Sequence, residues 1–224
     1  MSRASTVLLL SLSWFLIGEN ANAAVYNVRD HGAKGDRKTN DRAAIQSAIE
    51  AAAKAGGGIV YFPAGDYLSG TLRLRSNITL QLAPGATLWA STDKCDYEKG
   101  YSQLLLAENA DHASILGSGT INGQAIADLG RRKGVKDKMS SFRTHIMLFQ
   151  NCRNITIRDI TILYSDAWTI HLKRCDTVFI DGVTILNNYN RTNSDGIDPT
   201  SCRNVHISNC HIVAGDDCIV LKDT

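Results

Sequence analysis

Between residues 152 and 212 the alternation of apolar and polar positions returns three times without gaps. The units are Cys152-Arg-Asn-Ile-Thr-Ile-Arg-Asp-Ile-Thr-Ile162, Cys175-Asp-Thr-Val-Phe-Ile-Asp-Gly-Val-Thr-Ile185 and Cys202-Arg-Asn-Val-His-Ile-Ser-Asn-Cys-His-Ile212, offset by 23 and then 27 residues. In each unit two alternating apolar pairs flank a polar pair: Ile155 and Ile157 then Ile160 and Ile162, with counterparts in the other two. Period-two alternation of β-branched residues predicts half-buried strands, and the polar pair predicts a bend between them. Fainter copies occur at Asn77-Ile-Thr-Leu-Gln-Leu82 and Ala113-Ser-Ile-Leu-Gly117.

A repeat in the twenties built from short strands predicts a solenoid. The leucine-rich frame is missing, so the expected fold is all-β: a parallel β-helix in which successive coils stack about 4.8 Å apart. Ahead of the repeats, Ala43, Ala44, Ile45, Ala48, Ile49 and Ala52 have helical spacing. Asn40-Asp41 offers an N-cap and Gly56-Gly57-Gly58 a stop, so an N-terminal capping α-helix is expected. Gly58-Ile-Val-Tyr-Phe-Pro63 reads as the first strand. Val220-Leu-Lys-Asp-Thr224 reads as the opening of a further coil, which predicts a β-helix truncated at its C-terminal end.

The extreme N-terminus breaks the pattern. Arg3 precedes an apolar run from Val7 to Ile17, followed by Ala21-Asn22-Ala23. That is the plan of a secretory signal peptide, and the run is too short for a bilayer span of about 20 residues. Residues 1–23 are therefore expected to be cleaved, leaving 24–224 as one incomplete β-helix catalytic domain that is secreted and off the membrane. The composition, 44% hydrophobic and 21% charged with a net charge of +2, excludes a disordered chain and shows no nucleic-acid footprint. No cofactor or metal is expected, and the chain is expected to act as a monomer. Of the six cysteines, Cys152, Cys175 and Cys202 share one repeat position. They are expected as buried stacked thiols rather than a disulfide framework.

Two acidic knots carry the candidate chemistry: Asn193-Ser-Asp-Gly-Ile-Asp-Pro199 and Gly215-Asp-Asp-Cys218. Asp195 and Asp216 are 21 residues apart, close to one coil, so they fall on neighbouring turns of one face, with Asp217 beside them. Crowded carboxylates push at least one pKa upward, as acid/base hydrolysis of a glycoside requires. Turn-forming Asn, Asp and Gly, or a calcium site, fit the same spacing.

The knots resemble glycoside hydrolase family 28, the polygalacturonase family, whose members carry Asn-Thr-Asp and, one coil later, Gly-Asp-Asp. Here they stand as Asn193-Ser194-Asp195 and Gly215-Asp216-Asp217. Val28-Arg-Asp-His-Gly-Ala-Lys-Gly-Asp36, Phe62-Pro-Ala-Gly-Asp-Tyr67 and Gly117-Ser-Gly-Thr-Ile-Asn-Gly123 are also similar to that family and to other pectin-active β-helices. The resemblance implies a right-handed β-helix that hydrolyses α-linked galacturonan, a pectic polysaccharide, with inversion. Asp216 would be the general acid. Asp195 and Asp217 would activate water. Asn193 would orient Asp195 or bind substrate. By position rather than by resemblance, His171, one coil before the Asp195 knot, and Arg191, just ahead of it, are candidate substrate contacts, with a surface or stacked structural His and a solvated surface Arg as the alternatives. Inversion comes from the resemblance alone, since a 4.8 Å rung falls short of the ~6.5–9.5 Å that inversion uses. The family's Gly-His-Gly and Arg-Ile-Lys motifs do not occur up to Thr224, which predicts an inactive or very weak chain. A lyase on the same fold and a non-catalytic carbohydrate-binding β-helix are the competing readings.

Overall fold

The computed structural model describes residues 23–125 and 142–223. The expected signal segment up to Asn22 and the basic stretch Arg131-Arg-Lys-Gly-Val-Lys-Asp-Lys138 lie outside them.

The chain winds as a right-handed parallel β-helix. The five central coils each contribute one strand to each of three all-parallel sheets, and the first and last described coils add a strand to two of them, so the sheets hold seven, seven and five strands among the described residues. In the third repeat unit the strands are Arg203–Ser208 and His211–Val213. In the second they are Asp176–Asp181 and Thr184–Leu186, followed by Ile197–Thr200 in the third sheet. The bend at the polar pair is present in every unit. The weaker copies are also strands, Ile78–Leu82 and Ser114–Leu116, in the same sheet as the strong ones.

The register explains why the repeat is legible. In the first sheet Val60, Leu80, Ile115, Ile157, Ile180 and Ile207 pair in one column along the coil axis. In the second, Tyr67, Leu88, Ile121, Ile162, Ile185 and Ile212 do the same. In the third, Leu72, Leu105, Met147, Ile170 and Ile197 line up. These columns point inward and run the length of the buried core. A residue in such a column is packed above and below by its own kind, so apolar identity recurs at the coil period.

Corners recur too. Asn154, Thr177 and Asn204, at the same place in three coils, all have left-handed backbones with φ of 55°, 59° and 53°. Cys152 and Cys175 are buried and Cys202 is half-buried, and the described cysteines are all free thiols. The Cys175 amide donates to Cys202 Sγ at 3.3 Å, so the expected thiol stack is present.

The expected helix runs Arg42–Lys54 and buries Ile45, Ala48, Ile49 and Ala52 over the first coils. Its start differs from the expectation. Asn40 Oδ1 accepts from the Arg42 amide at 3.0 Å, whereas the Asp41 carboxylate turns away and accepts from the Lys34 and Gly35 amides. The sheets also start earlier than expected: Val25–Asn27 and Asp36–Asn40 precede Gly58–Phe62. Asp36–Asn40 carries no alternation, so nothing in its pattern marked it as a strand.

One coil is longer than its predecessor, and the extra length has a single location. Between the second and third sheets the chain takes residues 164–169 in one coil and 187–196 in the next. That difference accounts for the 23- and 27-residue spacings. The longer connection carries Arg191, Asn193 and Asp195.

Candidate functional site

Asn187 anchors the root of the 187–196 loop. Its side-chain oxygen accepts from the Ser165 amide at 2.9 Å, and its Nδ2 donates to Thr169 Oγ1 at 2.7 Å and to the Ser194 carbonyl at 3.0 Å. Ser194 joins the two acidic knots. Its hydroxyl donates to the Arg191 carbonyl at 2.9 Å and accepts from the Gly215 amide at 3.1 Å. A second link runs from the Gly196 amide to the Asp217 carbonyl at 2.9 Å. Both glycines are needed for this approach. A Cβ on Gly196 would lie 2.3 Å from the Cys218 carbonyl oxygen, and one on Gly215 would lie 2.3 Å from that of Arg191.

The structure thus brings Asn193, Asp195, Asp216 and Asp217 together on neighbouring coils. Their settings differ. Asp195 is 3% exposed, whereas Asp216 and Asp217 are open to solvent. Asn193 reaches the site through its main chain: its amide donates to Asp216 Oδ2 at 3.2 Å, and its own φ is +54°. Asn tolerates that conformation better than most residues, which gives position 193 a backbone role beside the side-chain role expected of it.

Arg191 is buried. Its guanidinium pairs with Asp166, and Arg143 Nη2 donates to the Asp166 and Thr192 carbonyl oxygens. This Arg143–Asp166–Arg191 cluster braces the loop from beneath, so Arg191, expected at the substrate, does not face the groove here. Burial pushes the Arg143 pKa down, with Asp166 opposing.

His171 faces outward from the strand Ile170–Lys173, as a groove residue should. Its Nε2 lies 3.2 Å from Thr200 Oγ1, and its ring stands edge-on to Trp168 at 4.8 Å. Burial, then the charges of His145, Lys222 and Lys173, lower its pKa to about 4. His145, one coil earlier, is lowered to about 4 by burial and Arg143. Trp168, His171, Lys173, Thr200 and Lys222 line one concavity of about 240 Å³ beside Asp195.

Sequence reasoning missed two residues here. Asp198, in the first acidic knot, is fully buried, and burial together with the Asp195 charge raises its pKa to about 6, against the pull of Lys222. Lys222 reaches across from the next coil. Its ammonium contacts Asp198 Oδ1, lies 3.3 Å from Asp195 Oδ2 and sits 3.9 Å from the Trp168 ring centroid. A cation therefore already lies between these two carboxylates. The available signal was register: Thr200 and Lys222 bridge in parallel, so Lys222 had to land on the outer face two residues along from Asp198.

The model of glycosyl hydrolases family 28 matches residues 58–224. The chain belongs to that family. A probable polygalacturonase of Vitis vinifera is 33% identical, over 96% of this chain and 47% of its own length. The solved structure of an exopolygalacturonase from Thermotoga maritima superposes with a TM-score of 0.79 at 28% identity, covering 89% of this chain and 55% of that one. The family 28 exopolygalacturonase of Yersinia enterocolitica gives 0.77 at 28% identity, over 90% of this chain and 45% of that one. The chain spans about half the length of these relatives.

Proposed function

We propose that the protein is a secreted, monomeric hydrolase of α-linked galacturonan that works with inversion. One observation supports this above others. The Asn193–Asp195 loop and the Gly215–Asp217 turn lock together on adjacent coils, so that one buried and two exposed carboxylates share a face in a chain of the polygalacturonase family.

In this reading Asp216, exposed and held by the Asn193 amide, gives its proton to the leaving oxygen as the glycosidic bond breaks. Asp195 and Asp217 take the proton of the water whose oxygen bonds to the anomeric carbon from the opposite side. Trp168, His171 and Lys173 border the bound sugar. Because the chain spans about half the length of its relatives, residues 24–224 alone turn over slowly or not at all.

The test is a reducing-sugar assay of the whole protein on polygalacturonate, with proton NMR of the first-formed anomer. Saturated products of inverted configuration support the reading. Unsaturated, ultraviolet-absorbing ends identify a lyase instead. Binding without cleavage identifies a carbohydrate-binding β-helix.

A further inference from the structure

Lys222 is fixed in place by its main chain. Its amide donates to the Pro199 carbonyl at 2.9 Å, and its carbonyl accepts from the Ser201 amide at 2.9 Å. The ammonium is thereby delivered to three groups at once: Asp195 Oδ2, Asp198 Oδ1 and the Trp168 face. Two buried carboxylates side by side repel each other strongly, and a shared cation relieves this. Each carboxylate keeps one further buried oxygen, Asp195 Oδ1 and Asp198 Oδ2, and the two side chains lie within hydrogen-bonding reach of each other.

We propose that Lys222 is a positioning residue of the hydrolytic site: by gripping Asp195 Oδ2 and Asp198 Oδ1 it ties the two carboxylates into one unit and holds the Asp195 carboxylate in the orientation from which it takes the proton of the attacking water. The inference rests on the reading of Asp195 as a group that activates water. Lys222 itself touches no reacting atom.

The clamp also couples the site to pH. The charged and titratable groups facing Asp198 are Asp195 on its own coil, His171 in register on the preceding coil, and Lys222 on the following one. Lys173, beside His171, adds a further positive charge on the preceding coil. Of these, Lys222 is the one that holds the Asp198 carboxylate down. Its removal therefore moves the Asp198 titration up.

Lys222→Met, Lys222→Arg and Asp198→Asn in the whole protein test this. Carboxyl-carbon NMR of aspartate-labelled protein reads the clamp without any activity, with Asp198→Asn assigning the resonance. The Asp198 titration is expected to move upward from about 6 in Lys222→Met and to stay near its wild-type value in Lys222→Arg. On polygalacturonate, Lys222→Met is expected to lose about a hundredfold in kcat with KM within about threefold, as misplaced catalytic groups do. Its acid limb should shift upward, and Lys222→Arg should recover at least about tenfold of the loss. An Asp198 titration indifferent to Lys222→Met overturns the clamp. A loss confined to KM with an unmoved pH profile overturns the positioning role and makes Lys222 a substrate contact. If Lys222→Met does not fold, Lys222→Arg and Asp198→Asn still decide: an unshifted pH profile in Asp198→Asn overturns the coupling. A wild type inert on every uronan sinks the reading of the reaction and the positioning role with it, while the NMR titration still decides the clamp.

Discussion

His171 and Asp198 are paired in register on neighbouring coils, and their ionisations have traded places. The imidazole titrates at about 4, an ordinary carboxylate value, and the carboxyl at about 6, close to an ordinary imidazole. One cause leads for both: burial penalises the charged form, which lowers a base and raises an acid. Around pH 5 the neutral form of each side chain predominates.

Acid stability follows from the signs. His145 and His171 have folded pKa values below the ordinary histidine value, so their contribution is full above about 6.5 and is lost as pH falls toward 4. Asp198 works the other way: its folded pKa is raised, so its contribution is full below about 4 and is lost as pH rises through 6. Two groups oppose one, so the thermal midpoint is expected to fall between pH 6.5 and 4. His145→Gln should flatten that fall. A variant whose midpoint tracks the wild type across the window would refute this assignment.

Asp216→Asn in the whole protein is expected to cost about a thousandfold in kcat, the scale of a lost general acid. The thermal midpoint should stay within about a degree, because the side chain is exposed and the amide oxygen can still accept from Asn193. Turnover rates set beside calorimetry separate the two effects.

Arg191→Met removes one cation from a buried pair. The loss is expected near the lower end of about 3–5 kcal/mol, since Arg143 stays beside Asp166. Because Arg191 braces the loop that carries Asp195, activity should fall well below the midpoint temperature. Denaturant unfolding read against residual activity tests both parts.

How much of this was legible depended on whether a residue obeys the coil period. The interior columns do, so the solenoid, its bends and the thiol stack could all be read from Ile157, Ile180 and Ile207 and their like. The knots at Asp195 and Asp216 were legible because turn-forming residues recur there one coil apart. Asp36–Asn40 was not, since a first coil has a neighbour on one side only and its strand need not alternate. Asp198 and Lys222 were hidden for another reason. Each looks like an ordinary residue in its own segment, and only the lateral pairing of Thr200 with Lys222 brings them into contact. Arg191 was visible, but its burial depends on Asp166 and Arg143, distant in the repeat pattern.

The corner ladder gives a stability prediction. Thr177 holds φ of 59° where the coils on either side have Asn. A β-branched residue is strained in that region, by roughly 1 kcal/mol or more relative to Asn. Thr177→Asn is expected to stabilise by about 0.5–1 kcal/mol, the weak Thr177–Asp176 hydrogen bond at 3.3 Å offsetting part of the gain. A lower midpoint in the variant would show that the hydroxyl matters more than the backbone.

The coil that carries Asp195 differs from the one before it mainly by the lengthened stretch 187–196, while its strands keep the same rungs. The extra length lies at a bend ahead of Asp195: the Asp195 carbonyl accepts from the Thr169 amide of the preceding coil, and the Gly196 amide donates to the Asp217 carbonyl of the next. The same bend elsewhere in the solenoid is a place where segments can be lengthened, shortened or exchanged without disturbing the stack. Grafting is accordingly the natural way to alter what the groove accepts: replacing 188–193 as a block leaves Asn187, Ser194, Asp195 and Gly196 to keep the bonds to the coils on either side, whereas trimming a strand by one residue would turn its interior column outward.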